Sequence, residues 1–577
     1  MGILLFFLVA YLVLCYGLSL VFAKAKAAAP ELPLQAKDAW IPGINFARWC
    51  TLVGRKPSHA LWLLVPIVNV FVYAGLCVDL ARSFGRLSFG DSFLAVVAAP
   101  LYTIWLGRTP EAVYQGPAIV AEKAYASEYA LAVKRGETRK AERLAADNPY
   151  RKSGGREWAE AIIFAVSAAW LIRLFIFEMF VIPTSSMEGS MLVGDYLVVS
   201  KAHYGIRTPQ TIAMVPLLHN RLPFNAGESY LERPSLKMRR LPALEAIDRN
   251  DPIVFNFPLG DSVYVTPGRT WSAEDYRVGS VGDPSGNRVA TPSTPLVTRP
   301  VDKKDHYVKR AVAVAGDVLE IRDGELFLNN ERAIDPPGIQ YRYAVTKPTD
   351  LALELSKLND WGISNEDICG GGCSDRAAQT VLQKESLSLT LNQAQIDNLQ
   401  ALNPGLKIDR QIARHLSKDT AQLNAYPDEV RPLALQQAQA RSYRLFPHDM
   451  ANFSDWTIDN FGPIKIPKAG ETVKIGPKNI ALYRRIIEVY EGHTLEVSTS
   501  GQIKLDGRPN TEYTFKQDYF WGMGDNRHGS EDSRFWGFIP ADHIVGKPLF
   551  IWFSTKDGSL SNGIRWNRIF KGATQMD

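Results

Sequence analysis

The stretch FEMFVIPTSSMEGSMLVGDYLVVSK, residues 177–201, holds four serines and a threonine just after the apolar run AIIFAVSAAWLI, residues 161–172. A helix that only stops at a membrane surface needs charges at its end, not Thr184, Ser185, Ser186 and Met187. A serine hydroxyl in such a turn is a weak nucleophile until a base takes its proton. Two other stretches offer partners. DHYVKRAVAV, residues 305–314, reads as a strand, and alternation puts Tyr307, Lys309 and Ala311 on one face with Val308 and Arg310 on the other. Lysine is seldom buried without a reason, although alone Lys309 reads as an exposed residue whose stem lies along the sheet. GMGDNRHGSEDSRFWGFIP, residues 522–540, is dense in Asp, Asn, Arg and Ser, yet Phe520-Trp521 and Phe535-Trp536 bracket it. Polar side chains so confined form a satisfied hydrogen-bond network; the plainer reading is a loop held by one Asp–Arg pair.

Competing chemistries leave little trace. HExxH, the GxSxG elbow, the P-loop and the Rossmann glycine pattern are all absent. The nine histidines lie scattered without ligand spacing, so neither a metal nor a cofactor is expected. A net charge of +5 over 577 residues does not suggest a nucleic-acid partner.

The elements that must position these residues begin in a membrane. Residues 3–22 are about one bilayer-spanning helix long. Their positive flank, Lys24 and Lys26, follows the apolar run, so an uncleaved helix with its N-terminus outside is expected rather than a signal peptide. Residues 60–80 form a second candidate span, in which Pro66 and Asn69 imply a kink or an internal contact. Residues 92–106 either span or dip in and return. The fourth helix is expected over 159–182, with Arg173 snorkelling from its outer half. The basic stretch 134–156 precedes it and belongs in the cytoplasm by the positive-inside rule, so everything after Val181 lies outside. Counting back puts Lys37, Arg48, Arg55 and Lys56 inside as well. Residues 1–110 are thus read as a multi-helix membrane region and 111–158 as a basic cytoplasmic linker.

Beyond Met191 the texture changes to short strands punctuated by Gly, Asp, Asn and Pro, without βαβ alternation, so antiparallel sheets are expected. Residues 204–249, 261–300 and 379–443 interrupt them, the last rich in Gln, Leu and Ala and expected to be helical with loops. A β-rich core is expected over 183–321 and 505–565, with 322–504 as an inserted α+β subdomain. Cys15, Cys50 and Cys77 lie in or near apolar segments and read as packing residues. Cys369 and Cys373 form CGGGC; outside the cytoplasm they suit a disulfide, otherwise two free thiols in a polar loop.

Taken together, IPTSSME, YVKRAVAVAGD and GDNRHGSEDSRFWG resemble the serine, lysine and GDN-x-x-x-S-x-DSR-x-WG blocks of the bacterial type I signal peptidases, membrane-bound Ser/Lys endopeptidases. RNDPIVFNFP, residues 249–258, resembles the strand that the family places between serine and lysine. The order and the position after a membrane helix also fit. Two departures are plain: Thr184 stands where many members have serine, and AVAGD replaces the usual GLPGD.

The resemblance implies Ser186 as nucleophile, Lys309 as general base, and the Ser186 N–H with the Thr184 hydroxyl as oxyanion donors. It implies Ser530 as the residue that orients the lysine, and Asp525, Asn526, Arg527, Asp532 and Arg534 as a structural network. Phe180, Ile182, Met187 and Val308 would line shallow substrate pockets. Lys309 must then lie in an apolar pocket with no carboxylate beside it, since a free lysine with pKa near ~10.4 is almost wholly charged at pH 7. The implied fold is a set of N-terminal membrane helices followed by a mainly antiparallel β catalytic domain outside the bacterial inner membrane. The implied partners are secretory preproteins with Ala-x-Ala sites and the bilayer, with the secretion machinery as a candidate further one. Other readings stay open: His306 as the base, a membrane-anchored scaffold with a decayed site, or a transporter, although the apolar segments lack paired charges.

Overall fold

The structure, a computed structural model, describes residues 2–222, 227–265, 270–272, 296–349, 351–370, 373–414 and 444–573. It divides into two compact units, Met1–Leu171 and Ile172–Asp577.

In the first unit, helix Gly2–Ala28 carries the apolar stretch Leu5–Ala28. At 1.5 Å per residue that stretch is about 36 Å long, enough for a hydrocarbon core of about 30 Å. Among the described residues it and Gly154–Phe175 are the two helices long and apolar enough to cross a membrane. Residues 60–80, expected as one span, are not one helix. A 3-10 segment, Pro57–Leu64, gives way to a separate helix, Val68–Ser83. Pro66 explains the break, because proline lacks an N–H and disfavours a helical residue before it. Val65 is accordingly extended, and Ile67 takes φ 71°. The helix that remains is 16 residues long, about 24 Å and short of a full crossing. The 92–106 segment lies in two helices, Phe89–Val97 and Ala99–Arg108, bent by 120°, the geometry of a broken span or a re-entrant loop. Cys15, Cys50 and Cys77 are buried and free.

The helix expected over 159–182 stops early, at Phe175. Residues Phe177–Val181 are instead a strand, β1, paired antiparallel with β2 (Asp195–Ser200). FEMFV alternates, and Glu178 turns inward, where Arg173 (2.9 Å) and Lys201 (2.7 Å) pair with it. Five more strands complete a seven-stranded sheet: β3 (Pro252–Asn256), β4 (His306–Ala313), β5 (Tyr519–Met523), β6 (Ile539–Pro540) and β7 (Ile544–Ser554). Its order is β1-β2-β7-β3-β4-β5-β6, and every pairing within it is antiparallel. Strand alternation sends successive residues to opposite faces. Ile253, Phe255 and Ala311 join Trp536 and Ile539 in one cluster, whereas Val254 joins Ile182, Met187, Leu197 and Ile551 in another.

The remainder does not divide at residue 504. Phe461, Ile464, Ile486 and Phe515 share a hydrophobic core with Val312, Tyr519 and Trp521, so this part of the expected insertion packs directly on the large sheet. A separate core around Val345, Leu389 and Leu399 belongs to the three-stranded sheet Ser386–Leu391, Tyr341–Thr346, Lys407–Arg410 and its helices. Residues expected to be helical over 379–443 therefore alternate helix and strand as far as Arg410; 415–443 lies outside the described residues, as does most of 261–300. Cys369 and Cys373 are joined in a disulfide.

Candidate active site

β1 passes the chain to Pro183 and Thr184. Thr184 is extended, at φ −136° and ψ 155°, and Ser185–Met187 close a single 3-10 turn. N–H groups at the start of such a turn have no partner within it, and Ser186 is its second residue. The Thr184 hydroxyl is 3.4 Å from Ser186 Oγ. The turn is anchored from behind. The Glu188 N–H donates to the Ser185 carbonyl and the Met191 N–H to the Met187 carbonyl, both at 2.9 Å. Fully buried Asp195 accepts from the Leu192 N–H (2.8 Å), the Ser554 hydroxyl (2.6 Å) and Arg568 (2.7 Å). Arg568 also donates to the Ser190 carbonyl at 2.8 Å.

Lys309 arrives from mid-β4, opposite Ile253 on β3. Its Nζ donates to Ser186 Oγ at 2.7 Å and to the Val308 carbonyl at 3.1 Å. The residue is 2% exposed. Burial pushes its pKa down from 10.5 to about 8, against the opposing pull of Asp532, Asp525 and Glu531. All three of those carboxylates have guanidinium partners, Glu531 through Arg444 at 3.1 Å. Arg310 donates twice to Asp525 (2.7 and 2.6 Å), and Arg534 twice to Asp532 (2.9 and 2.8 Å). These pairs limit how far the aspartates can stabilise the ammonium form. A pKa near 8 leaves roughly a tenth of the amines neutral at pH 7, and a neutral amine so placed can take the serine proton.

The third block closes over this pair. The Asn526 N–H donates to the Ser186 carbonyl at 3.3 Å, and the Ser190 hydroxyl donates to Asp525. The Gly524 N–H donates to Asp532 at 3.1 Å. Burial works against the Asp532 charge, but Arg534 holds its carboxyl below the usual range. The Arg527 carbonyl accepts from Arg534 at 2.5 Å, and its guanidinium faces Asp335 at 3.4 Å. The Asn526 side chain accepts from the Gly529 N–H at 2.9 Å. Gly524 has no room for a side chain: a Cβ would lie 2.4 Å from the Ser186 carbonyl oxygen and 2.2 Å from Ser530 Oγ.

The model of the family "Signal peptidase, peptidase S26" matches residues 155–360 and 469–553, just over half of the chain. The chain belongs to this family. Among curated relatives, the Signal peptidase I of Haemophilus influenzae is 39% identical over 67 residues, 11% of this chain and 19% of the relative. That of Aquifex aeolicus is 46% identical over 50 residues, 9% of this chain and 20% of the relative. That of Leptolyngbya laminosa is 35% identical over 96 residues, 14% of this chain and 46% of the relative. The chain thus spans less than half the length of each of these relatives. A second model, "Family of unknown function (DUF5684)", matches residues 38–117.

Set against the signal peptidase pattern, the structure brings Thr184, Ser186 and Lys309 together, with Asp525, Asn526, Arg527, Asp532 and Arg534 in one connected network around them. Phe180, Ile182, Met187 and Val308 share one hydrophobic cluster. Ile182 and Met187 are buried within it, while half-buried Phe180 and Val308 present surface. The Ser530 hydroxyl donates to the Glu531 carbonyl at 3.3 Å, while the Lys309 amine bonds to Ser186 and Val308. His306 packs between the rings of Phe180 (4.6 Å) and His219 (4.4 Å). Burial, and then His219, push its pKa well below 6.5. The basic side chain hydrogen-bonded to the serine is the lysine. Sequence reasoning missed Arg310, Ser190, Asp195, Arg568 and Gly524. Arg310 left a signal, since it is a second basic residue beside the key lysine on an otherwise largely apolar strand.

Proposed function

We propose that this chain is a membrane-bound serine endopeptidase that removes N-terminal signal peptides from exported preproteins after small residues, in the Ala-x-Ala pattern. Ser186 attacks the scissile carbonyl while neutral Lys309 takes its proton. The resulting ammonium then protonates the leaving amine, and the neutral amine activates the water that frees the acyl-enzyme. The Ser186 N–H and the Thr184 hydroxyl donate to the oxyanion. The observation that carries this reading is the 2.7 Å contact between a buried amine and the serine hydroxyl. Asp525, Asn526, Arg527, Asp532 and Arg534 hold the shape of the site, and Ser530 orients the amine once substrate tightens it.

The substrate binds as an extended strand. β5 pairs with β4 no further than Arg310, so a peptide can continue the sheet from there, beside Lys309 and Val308, by strand addition. Phe180, Ile182, Met187 and Val308 shape the shallow pockets that exclude large side chains. The basic stretch 134–156 supports a catalytic unit on the extracytoplasmic side of the bacterial inner membrane, with the secretion machinery as a further partner. Residues 341–411, with their own core, form the inserted subdomain.

The test is cleavage of a secretory preprotein with an Ala-x-Ala site by the detergent-solubilised full chain. The wild type is expected to cut once, after that site. Ser186→Ala and Lys309→Ala are each expected to lose at least about 10³-fold in rate. Cleavage that survives Ser186→Ala contradicts the reading.

A further inference from the structure

Ser185 precedes the nucleophile of the proposed reaction and is almost wholly buried. Its hydroxyl donates to Glu366 Oε1 at 2.6 Å, across 181 positions of sequence. Glu366 lies between the two stretches that the signal peptidase model matches, 155–360 and 469–553. A residue outside the matched pattern therefore holds the catalytic turn at the position next to Ser186.

The element that carries Glu366 is firmly fixed. It is the short helix Asn365–Cys369, opened by a capping box in which Ser364 and Asp367 exchange hydrogen bonds. The Asn365 side chain donates to Asp375 at 2.7 Å. Ile368 is buried in the core around Val345, and the Cys369–Cys373 disulfide closes the helix end. The same part of the chain touches the catalytic turn again. Gly189, at φ 96°, approaches so closely that a Cβ there would lie 1.9 Å from the Gly338 carbonyl oxygen. The Gln340 N–H donates to the Asp525 carbonyl and the Arg527 N–H to the Gln340 carbonyl, both at 2.9 Å. Residues 338–340 and Glu366 thus brace the turn from the side of the second core. Glu188 lies beside this contact, and burial, then the Asp367 and Glu366 carboxylates, push its pKa up to about 8.

We infer that Glu366 is a positioning residue for the cleavage reaction, acting through Ser185 to hold the turn that presents Ser186 Oγ to Lys309. Its role rests on the proposed peptidase activity. A hydrogen bond 2.6 Å long constrains the residue adjoining the nucleophile, and catalytic geometry tolerates only about 0.5 Å of drift. A misplacement of about 1 Å costs on the order of 10²-fold.

The test is a double-mutant cycle in the full-length chain, with kcat and KM measured on a preprotein alongside the melting temperature. Glu366→Ala and Ser185→Ala are each expected to lower kcat by roughly 10- to 100-fold, with KM changed less than about twofold. The double variant is expected to fall no further than either single one, because both remove the same hydrogen bond. Glu366→Gln, which keeps an acceptor oxygen, is expected to restore most of kcat. Three results overturn the inference while leaving the peptidase reading intact: Glu366→Ala as fast as wild type, losses that add in the double variant, or Glu366→Gln as slow as Glu366→Ala. A wild type that cuts no preprotein while correctly folded overturns both.

Discussion

A lysine acts as a base near neutral pH only where its charged form is disfavoured, and Lys309 meets that condition by burial. Arg310 and Arg534 contribute indirectly, since each occupies an aspartate that would otherwise raise the lysine pKa further. The sequence made the lysine legible through its block but left its environment open. An aspartate-rich block beside a lysine looks unfavourable for a neutral amine until the arginine partners are seen. At the same scale, Thr184 is the residue in which the chain departs from the usual serine, and its hydroxyl lies 3.4 Å from Ser186 Oγ. If it donates to the oxyanion, it is worth about 2.7–4 kcal/mol. Thr184→Val is thus expected to lower kcat by roughly 10²- to 10³-fold with little change in KM, and Thr184→Ser to keep most activity. Steady-state kinetics on a preprotein checks both; an unimpaired Thr184→Val would remove Thr184 from the oxyanion site.

At the scale of elements, two backbones must meet: the 3-10 turn Ser185–Met187 and the loop that leaves β5. Gly524 permits the meeting, since any side chain there collides with the Ser186 carbonyl and with Ser530. Gly524→Ala is expected to cost about 1–3 kcal/mol of stability by overpacking and to abolish cleavage, because Asn526 can no longer hold the Ser186 carbonyl. A melting curve and a cleavage assay on the same preparation read both effects; full activity in that variant would contradict the close approach. The strands were legible from alternation, as DHYVKRAVAV shows in β4. The start of β1 was not, because FEMFV is apolar enough to pass for the end of the preceding helix. Only its pairing with DYLVVS makes it a strand. Likewise 379–443 read as helical from its Gln, Leu and Ala content, whereas SLSLTL within it pairs with Tyr341–Thr346 as a strand.

For the whole molecule, the number of crossings decides which side the site faces. Among the described residues, two helices are long and apolar enough to span, plus one bent pair. If that pair is re-entrant, Lys37 and the basic 134–156 stretch fall on the same side, as the positive-inside rule requires. If it is a full span, they fall on opposite sides. The re-entrant geometry is the one expected. Cysteines introduced at exposed positions, Lys37→Cys, Glu142→Cys and Asn562→Cys, test it with a membrane-impermeant maleimide, since the native cysteines are buried or disulfide-bonded. Asn562→Cys is expected to react in intact spheroplasts, and the other two only after lysis. Labelling of Lys37→Cys from outside would make the bent pair a span. Hydropathy alone could not settle the count, because residues 60–80 are apolar enough to cross and are broken by Pro66.

The measurement that bears most directly on the central claim is the pH dependence of kcat/KM for cleavage of an Ala-x-Ala preprotein by the wild type. If Lys309 is the base it works only when neutral, and its pKa is depressed to about 8, so activity is expected to be lost as pH falls through that value. The account predicts an acidic limb with an apparent pKa near 8, absent from the residual rate of Lys309→Ala. A limb between about 6 and 7, where an imidazole ordinarily titrates, or a flat profile across this range, would contradict it.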